Sequence, residues 1–147
     1  MTVRPPTPAD EPRWRELWGA YLTFYGHPLP EEVTAHTWRR LLGGADGFAC
    51  HLAVTTDGEV VGFVHSVAQP GTWGLAPKVY LEDLFVDEGV RGGGTGAALI
   101  AAVVARARAL GSDEVHWITD EGNARARRLY DHVARRSGYV RYEVLLD

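Results

Sequence analysis

A glycine-rich loop between a strand-like segment and an alanine-rich segment holds the residues best suited to bind an anion. Residues 91–96 read Arg-Gly-Gly-Gly-Thr-Gly. Backbone N–H groups at the start of a helix have no intrahelical partner, and the helix dipole favours negative charge there. Glycine lets the backbone approach a phosphate closely, and Arg91 can add a charge-assisted hydrogen bond. The loop therefore predicts a pyrophosphate site.

Two other phosphate-binding motifs do not fit this loop. The P-loop requires a lysine beside its last glycine, and no lysine is near. The dinucleotide fingerprint follows the first strand of a parallel unit, and Gly92, Gly94 and Ala97 match its spacing poorly. A purely structural loop that only starts a helix stays open as the alternative.

The elements around the loop predict a mixed α/β (α+β) fold. Apolar residues at helical spacing predict four helices, over 9–25, 31–42, 95–110 and 123–136. Runs rich in β-branched and aromatic residues predict strands over 2–4, 48–55, 60–68, 78–86, 115–119 and 139–146. Asp57-Gly58 predicts a hairpin turn. We expect one domain over 1–147, with a central sheet of about six strands that combines an antiparallel meander with a parallel β-α-β unit.

Composition excludes several other classes of protein. The formal net charge of −4 argues against a nucleic-acid partner. No segment has the length of a membrane span or the pattern of a signal peptide, so we expect no membrane partner. The single cysteine, Cys50, excludes an internal disulfide and a Cys-x-x-Cys metal site, and it indicates a cytoplasmic protein. We expect Cys50 to be a buried structural thiol.

Two motifs together resemble the GCN5-related N-acetyltransferase (GNAT) superfamily. The first is the segment from Leu81-Glu82-Asp83-Leu84-Phe85-Val86 through Arg91-x-x-Gly94-x-Gly96 into an alanine- and leucine-rich helix. The second is Asn123, Ala126, Leu129-Tyr130 and then Gly138-Tyr139, which is similar to the family's N-x-x-A-x-x-x-Y…G-[FY] pattern. The order of elements also matches, so the resemblance covers nearly the whole chain.

This resemblance implies a cofactor site for acetyl-CoA, used as a co-substrate, and no metal. The pyrophosphate would lie on the backbone N–H groups around Gly92, Gly93, Gly94, Thr95 and Gly96, with Arg91 beside them. The pantetheine arm would pair with the backbone of Leu84, Phe85 and Val86. Asn123 would contact the cofactor, cap the following helix, or do both.

The resemblance also implies roles for an acid and a base in acetyl transfer to a primary amine. Glu82 occupies the place of the family's general base, and Tyr130 matches the tyrosine that acts as general acid. Glu82 and Asp83 are adjacent on a predicted strand, so only one should face the substrate, and we favour Glu82 as the base, with Asp83 as the other candidate for contact with the substrate. His65 and His116 also lie on predicted strands, where a structural role is the simpler interpretation.

Aromatic residues near the start of the chain predict the acceptor site. Tyr25, His27 and Trp38 fall in the first helical pair, where the family shapes its acceptor pocket, and such aromatic residues suit a cationic amine. The acceptor stays open among small amines, polyamines, amino acids and protein lysines.

Two departures from the family pattern concern the end of the chain. The spacing from Tyr130 to Gly138 is long, which predicts an extra helical turn, and only one strand fits after Tyr139. A partner subunit could cover the resulting sheet edge, so we expect a homodimer. A non-catalytic acyl-CoA-binding sensor or interaction module is the alternative to an enzyme.

Overall fold

The computed structural model describes residues 1–90 and 93–147, in two units that cover 1–117 and 118–147. The strands in this part of the chain are β1 (Thr2–Arg4), β2 (Phe48–Val54), β3 (Val60–Gln69), β4 (Lys78–Val86) and β5 (Val115–His116). The α-helices are α1 (Glu11–Tyr25), α2 (Glu31–Gly43), α3 (Thr95–Ala109) and α4 (Ala124–Val133). Short 3₁₀ turns occupy Pro8–Asp10, Ala45–Gly47 and Glu88–Val90.

The sheet is mixed, as the order of elements predicts. Its strands follow the chain in the order β1-β2-β3-β4-β5. The first four strands pair antiparallel, and β5 pairs parallel with β4 through Val79↔Val115 and Tyr80↔His116. The predicted meander and the predicted parallel β-α-β unit are therefore both confirmed.

The apolar faces of α1 and α2 pack on one side of this sheet. Trp14, Leu17 and Trp18 repeat at helical spacing on α1, which places them on one stripe that is withdrawn from water. They meet Trp38 and Leu41 of α2, and strand residues complete the cluster: Leu52, Phe63 and Phe85 among them. Trp14 is fully buried and stacks on Trp18 at a ring separation of 5.5 Å.

The third helix packs against β2, β3 and β4. Neighbouring residues of a strand face opposite sides of its sheet. His65 of β3 contacts Trp14 of α1, whereas Ser66 accepts a hydrogen bond of 2.9 Å from Arg106 of α3. Arg106 also donates to the Gly47 carbonyl at 2.8 Å. The sheet is thus covered on both faces within residues 1–117.

Three elements near the end of the chain differ from the sequence prediction, and the first is β5, which ends at His116 instead of Thr119. Helix α4 ends at Val133 instead of running an extra turn, because its apolar stripe has no further member after Val133 and Arg135-Arg136 follow. The predicted strand over 139–146 does not form, so the sheet has five strands in the described residues and not six. A strand forms only where a neighbour accepts its backbone hydrogen bonds, and no described strand pairs with this segment.

No helix in the described part of the chain has the length and apolarity needed to cross a membrane. Nor do 1–90 and 93–147 contain a cluster of three or more His, Cys, Asp or Glu side chains suited to a metal ion.

A buried carboxylate ties the first strand to the start of α1. Asp10 is 8% exposed and accepts hydrogen bonds of 2.8 and 3.0 Å from the two terminal nitrogens of Arg4. The backbone N–H of Thr7 donates to the same carboxylate at 2.7 Å. The Arg4 hydrogen bonds, helped by those from Thr7 and opposed by burial, lower the pKa of Asp10 from 3.8 to about 2.

We expect Asp10→Asn to lower the free energy of unfolding by about 2 kcal/mol at pH 7, because one pKa unit corresponds to about 1.4 kcal/mol. This is an upper figure, since Arg4 is 36% exposed and partly screened. A lowered pKa stabilises the folded state above the unfolded-state pKa, and this contribution is lost as pH falls from about 4 toward 2. Urea unfolding from pH 7 to pH 2 checks it.

The matched control is Asp57→Asn, which keeps a turn-forming residue in the exposed hairpin and should leave stability nearly unchanged. A destabilisation by Asp10→Asn that stays constant down to pH 2 would contradict the electrostatic explanation.

Candidate active site

A β-bulge places two carboxylates on the same side of β4. His65 pairs with Asp83 and the next residue, Ser66, pairs with Leu81, so Glu82 is an extra residue in β4. A bulge interrupts the alternation of side chains along a strand. Both Glu82 and Asp83 consequently line one cavity. The prediction that only one of them faces this site is therefore wrong, and the register of β3 against β4 is the reason.

This cavity has a volume of about 220 Å³ and lies within residues 1–117. Its apolar walls come from α1, α2 and the neighbouring segments: Trp18, Leu29, Leu41 and Phe48. Its polar walls are Thr37, Arg40, His65, Glu82 and Asp83. Apolar walls with a few convergent polar groups are typical of small-molecule sites.

A buried chain of hydrogen bonds holds Asp83 in place. Trp14 Nε1 donates to His65 Nε2 at 3.0 Å, and His65 Nδ1 lies 2.9 Å from Asp83 Oδ2. The hydroxyl of Tyr21 donates to Asp83 Oδ1 at 2.7 Å. An indole N–H can only donate, so Nε2 of His65 must accept and Nδ1 must carry the proton that Asp83 accepts.

His65 is therefore a structural residue, as the sequence interpretation favoured. Its ring is 1% exposed and both of its nitrogens are engaged. It offers no basic nitrogen to a substrate, but it orients Asp83 beside Glu82.

Glu82 is the carboxylate of the pair with the greater freedom to act on a ligand. Among the described residues it makes no side-chain hydrogen bond and no ion pair. By surface area it is an exposed residue, yet enough protein surrounds its carboxyl group for burial to raise its pKa. The charge of Asp83 raises that pKa further, while the positive charge of Arg40 opposes the shift. A carboxylate with a raised pKa is a better proton acceptor near neutral pH.

The glycine loop ends at a helix terminus that suits an anion. Gly94 precedes α3 with φ of 80°, a left-handed conformation that glycine adopts without strain. The first turn of α3 contains no acidic residue, and no side chain caps its N–H groups. Gly93 and Gly94 are exposed. The predicted residues Arg91 and Gly92 lie outside the described residues.

Thr95 and the predicted strand residues can contribute through their backbone. The Thr95 side chain is buried, and its hydroxyl donates to Met1 Sδ at 3.3 Å. On β4, Leu84, Phe85 and Val86 pair with Val64, Phe63 and Gly62 of β3. The Phe85 ring belongs to the core cluster, so its side chain is committed to packing.

Asn123 and Tyr130 belong to the second unit. Asn123 Oδ1 accepts a hydrogen bond of 3.2 Å from the backbone N–H of Ala126, which confirms its predicted role as the cap of α4. Tyr130 lies seven residues further along the chain, two turns into α4.

Of the four residues predicted to contact the acceptor, Asp83 lines the cavity around Glu82, whereas Tyr25, His27 and Trp38 do not. Trp38 is 4% exposed and packs against Trp14 at a ring separation of 5.1 Å, so it belongs to the core. Tyr25 is 52% exposed at the end of α1, and His27 is exposed just beyond it.

The sequence prediction missed Trp18 and Arg40 as cavity residues. Trp18 shares the apolar stripe of α1, and Arg40 lies three residues after Thr37 on one side of α2. Helical spacing groups each of them with other cavity residues, but only the packing of α1 and α2 on β4 brings the groups together.

A model of the acetyltransferase (GNAT) family matches residues 12–134 of this chain. The chain belongs to the GNAT family of acetyltransferases. Members of this family transfer acetyl groups from acetyl-CoA to amines, so the protein is an acetyl-CoA-dependent N-acetyltransferase.

Two curated relatives and one solved structure show how far the likeness extends. The chain is 35% identical over 144 residues to a D-amino-acid N-acetyltransferase of Saccharomyces cerevisiae, covering 97% of this chain and 89% of the relative. It is 34% identical over 141 residues to an aminoglycoside N(6')-acetyltransferase type 1 of Stenotrophomonas maltophilia, covering 92% and 83%. A crystal structure of a probable acetyltransferase has the same GNAT fold, with a TM-score of 0.89 and 19% identity over 100% of this chain and 99% of that one.

We expect Asp83→Asn to lower the pKa of Glu82, because the substitution removes a neighbouring negative charge and leaves the site otherwise similar in shape. Carbon-13 NMR titration of the glutamate side-chain carboxyls measures this directly, with the signal of Glu82 assigned by its loss in Glu82→Gln.

Tyr21→Phe is the matched control, since it removes a hydrogen bond to Asp83 but keeps the charge. It should shift the titration of Glu82 less than Asp83→Asn does. An unchanged or higher Glu82 pKa in Asp83→Asn would show that the two carboxylates are not coupled.

Proposed function

We propose that this GNAT enzyme acetylates a small primary amine by direct attack within a ternary complex. The observation that carries the proposal is the pair of carboxylates in one cavity, with Glu82 beside the anchored Asp83 and with its pKa raised. The curated relatives are named for acetylating D-amino acids and aminoglycosides, which are small compounds with amino groups.

The cofactor site is proposed on the exposed turn before α3. Acetyl-CoA supplies a thioester acetyl group and a pyrophosphate. The N–H groups of Gly93, Gly94, Thr95 and Gly96, with Arg91 and Gly92, would hold the pyrophosphate. Support comes from the left-handed Gly94 and from a first turn of α3 without acidic residues. The backbone of Leu84–Val86 and the side chain of Asn123 are proposed as further contacts.

The proton steps are assigned to Glu82 and Tyr130. An amine attacks a thioester only in its neutral form, so Glu82 would accept the proton that the ammonium group loses, directly or through water. As the new N–C bond forms and the C–S bond breaks, the phenol of Tyr130 would donate a proton to the departing thiolate.

A covalent route through cysteine is disfavoured by the state of Cys50. Its side chain is 2% exposed, and burial raises the pKa of the thiol far above neutral pH. A thiol of this kind is a poor nucleophile. The same buried, unpaired cysteine supports our proposal that the protein works in the reducing cytoplasm.

Glu82→Gln and Tyr130→Phe should each reduce kcat for amine-dependent thiol release from acetyl-CoA by about 10²- to 10⁴-fold, the usual contribution of general acid–base catalysis. Glu88→Gln, at an exposed position with no assigned part in catalysis, is the matched control and should retain full activity.

Thermal melting with acetyl-CoA separates the alternatives in the same experiment. Protection by acetyl-CoA without thiol release in the presence of any amine would favour a non-catalytic sensor. Full activity in both variants would remove Glu82 and Tyr130 from the mechanism.

We also propose that the protein is a homodimer in which residues 139–146 add a strand to a second copy. The segment alternates, with Val140, Tyr142, Val144 and Leu146 on one side, and these side chains are 75–90% exposed. Arg141 and Glu143, two residues apart, form an ion pair at 3.4 Å, as same-side neighbours do in extended chain. Exposed apolar side chains in this number are typical of an interface.

Val144→Asp should convert the dimer to a monomer, because a charge would be buried at the new strand pairing. Sedimentation equilibrium measures the mass, with Glu143→Gln as a control that should stay dimeric. A wild-type protein that is monomeric at micromolar concentration would refute the dimer.

A further inference from the structure

Arg40 brings a positive charge to the cavity that contains the two carboxylates. Its guanidinium carbon lies 4.0 Å from the centre of the Phe48 ring, which holds the group by a cation–π contact. Its Nε atom is buried and has no hydrogen-bond partner among the described residues. The nearest carboxylate is that of Asp46, at 3.6 Å from Nε and outside hydrogen-bond distance.

A buried guanidinium nitrogen without a hydrogen bond needs an explanation. Leaving such a donor unsatisfied is unfavourable, and a charged donor more so than a neutral one. Asp46 is 72% exposed, so its attraction for Arg40 is weakened by solvent. A ligand carboxylate in the cavity would satisfy this donor and could pair with the planar guanidinium through two hydrogen bonds.

Arg40 and Glu82 line the same cavity without forming an ion pair. The two charges influence each other, since Arg40 opposes the rise in the pKa of Glu82, yet they form no ion pair within 4.0 Å. Asp83 is already bonded to Tyr21 and His65. Among the described residues that line this cavity of about 220 Å³, Arg40 and Glu82 are thus the two charged side chains that make no hydrogen bond.

From this arrangement we infer that the acceptor is a free α-amino acid with a small apolar side chain. Arg40 binds its carboxylate, Glu82 receives its ammonium group, and Trp18, Leu29 and Phe48 surround the side chain. The inference rests on the proposed function, and Arg40 is its specificity-determining residue.

Charge and size both favour this class over other amines. A polyamine or an aminoglycoside has no carboxylate to pair with Arg40 and would leave this guanidinium unpaired, and such a penalty against competitors is a common source of specificity. Pockets for drug-sized ligands span roughly 300–1,000 Å³. The smaller cavity beside Glu82 suits a molecule the size of valine, leucine or methionine.

The test compares each amino acid with analogues that lack the carboxylate. Alanine, valine, leucine and methionine, in both enantiomers, are assayed against their carboxamides and against isoamylamine, with acetyl-CoA and thiol detection. We expect at least one amino acid to exceed its carboxamide in kcat/KM by roughly 30-fold or more, the size of effect expected from losing a charge-assisted pair.

Substitutions of Arg40 test whether this residue causes the preference for amino acids over their carboxamides. Arg40→Gln should raise KM for that amino acid by roughly 30-fold, while kcat and the Michaelis constant for isoamylamine should change by less than about threefold. Arg40→Lys should restore part of the affinity, because it keeps the charge but not the planar fork. Arg39→Gln, at the neighbouring exposed position of α2, is the matched control and should behave as wild type. Thermal melting confirms that each variant is folded.

Two results would overturn the inference and leave acetyl transfer intact. One is equal kcat/KM for amino acids, carboxamides and the simple amine, and the other is an Arg40→Gln effect of the same size on all three.

If no acceptor releases thiol, the proposed function itself fails, and calorimetry then decides the role of Arg40. Binding of the amino acids to the wild type with its loss in Arg40→Gln would support the carboxylate site. Absent or unchanged binding would overturn it.

Discussion

The hydrogen bond between Trp14 and His65 is the contact on which the site depends. Both side chains are almost fully buried, so each polar nitrogen must find its partner inside the protein. Because the indole can only donate, the imidazole is held in one tautomer and presents its other N–H to Asp83. A core contact between α1 and β3 thereby fixes the position of a charge on β4.

The bulge at Glu82 brings a second carboxylate beside the anchored carboxylate of Asp83. A regular strand would separate Glu82 from Asp83 by the thickness of the sheet, whereas the extra residue places both in one cavity. Burial disfavours the charged form of Glu82, and the negative charge of Asp83 at close range acts in the same direction. Asp83 accepts hydrogen bonds from two donors, whereas Glu82 has none among the described residues, and it is the pKa of Glu82 that burial and the neighbouring charge raise.

The proposed cofactor site and the proposed acceptor site come from different elements. The start of α3 offers backbone N–H groups and no competing acid. The cavity beside β4 offers the carboxylates of Glu82 and Asp83 and the guanidinium of Arg40, which is held by Phe48. One surface thus favours negative charge and the other contains carboxylates that favour positive charge. This agrees with the transfer of an acetyl group from a phosphate-bearing donor to an amine that arrives as a cation.

The sequence by itself determined the element order and the two family motifs, because these depend on local periodicity, glycine chemistry and capping. Asn123 illustrates this, since its cap needs only residues within one turn of α4. The tertiary structure alone decided that Glu82 and Asp83 share a cavity, because strand register is set between β3 and β4 and not within either. It also decided that Trp38 is core while Arg40 faces the cavity, since the direction of a helix face depends on what it packs against. The strand expected over 139–146 shows the same limit, because its pattern specifies an extended chain but cannot supply the neighbour it must pair with.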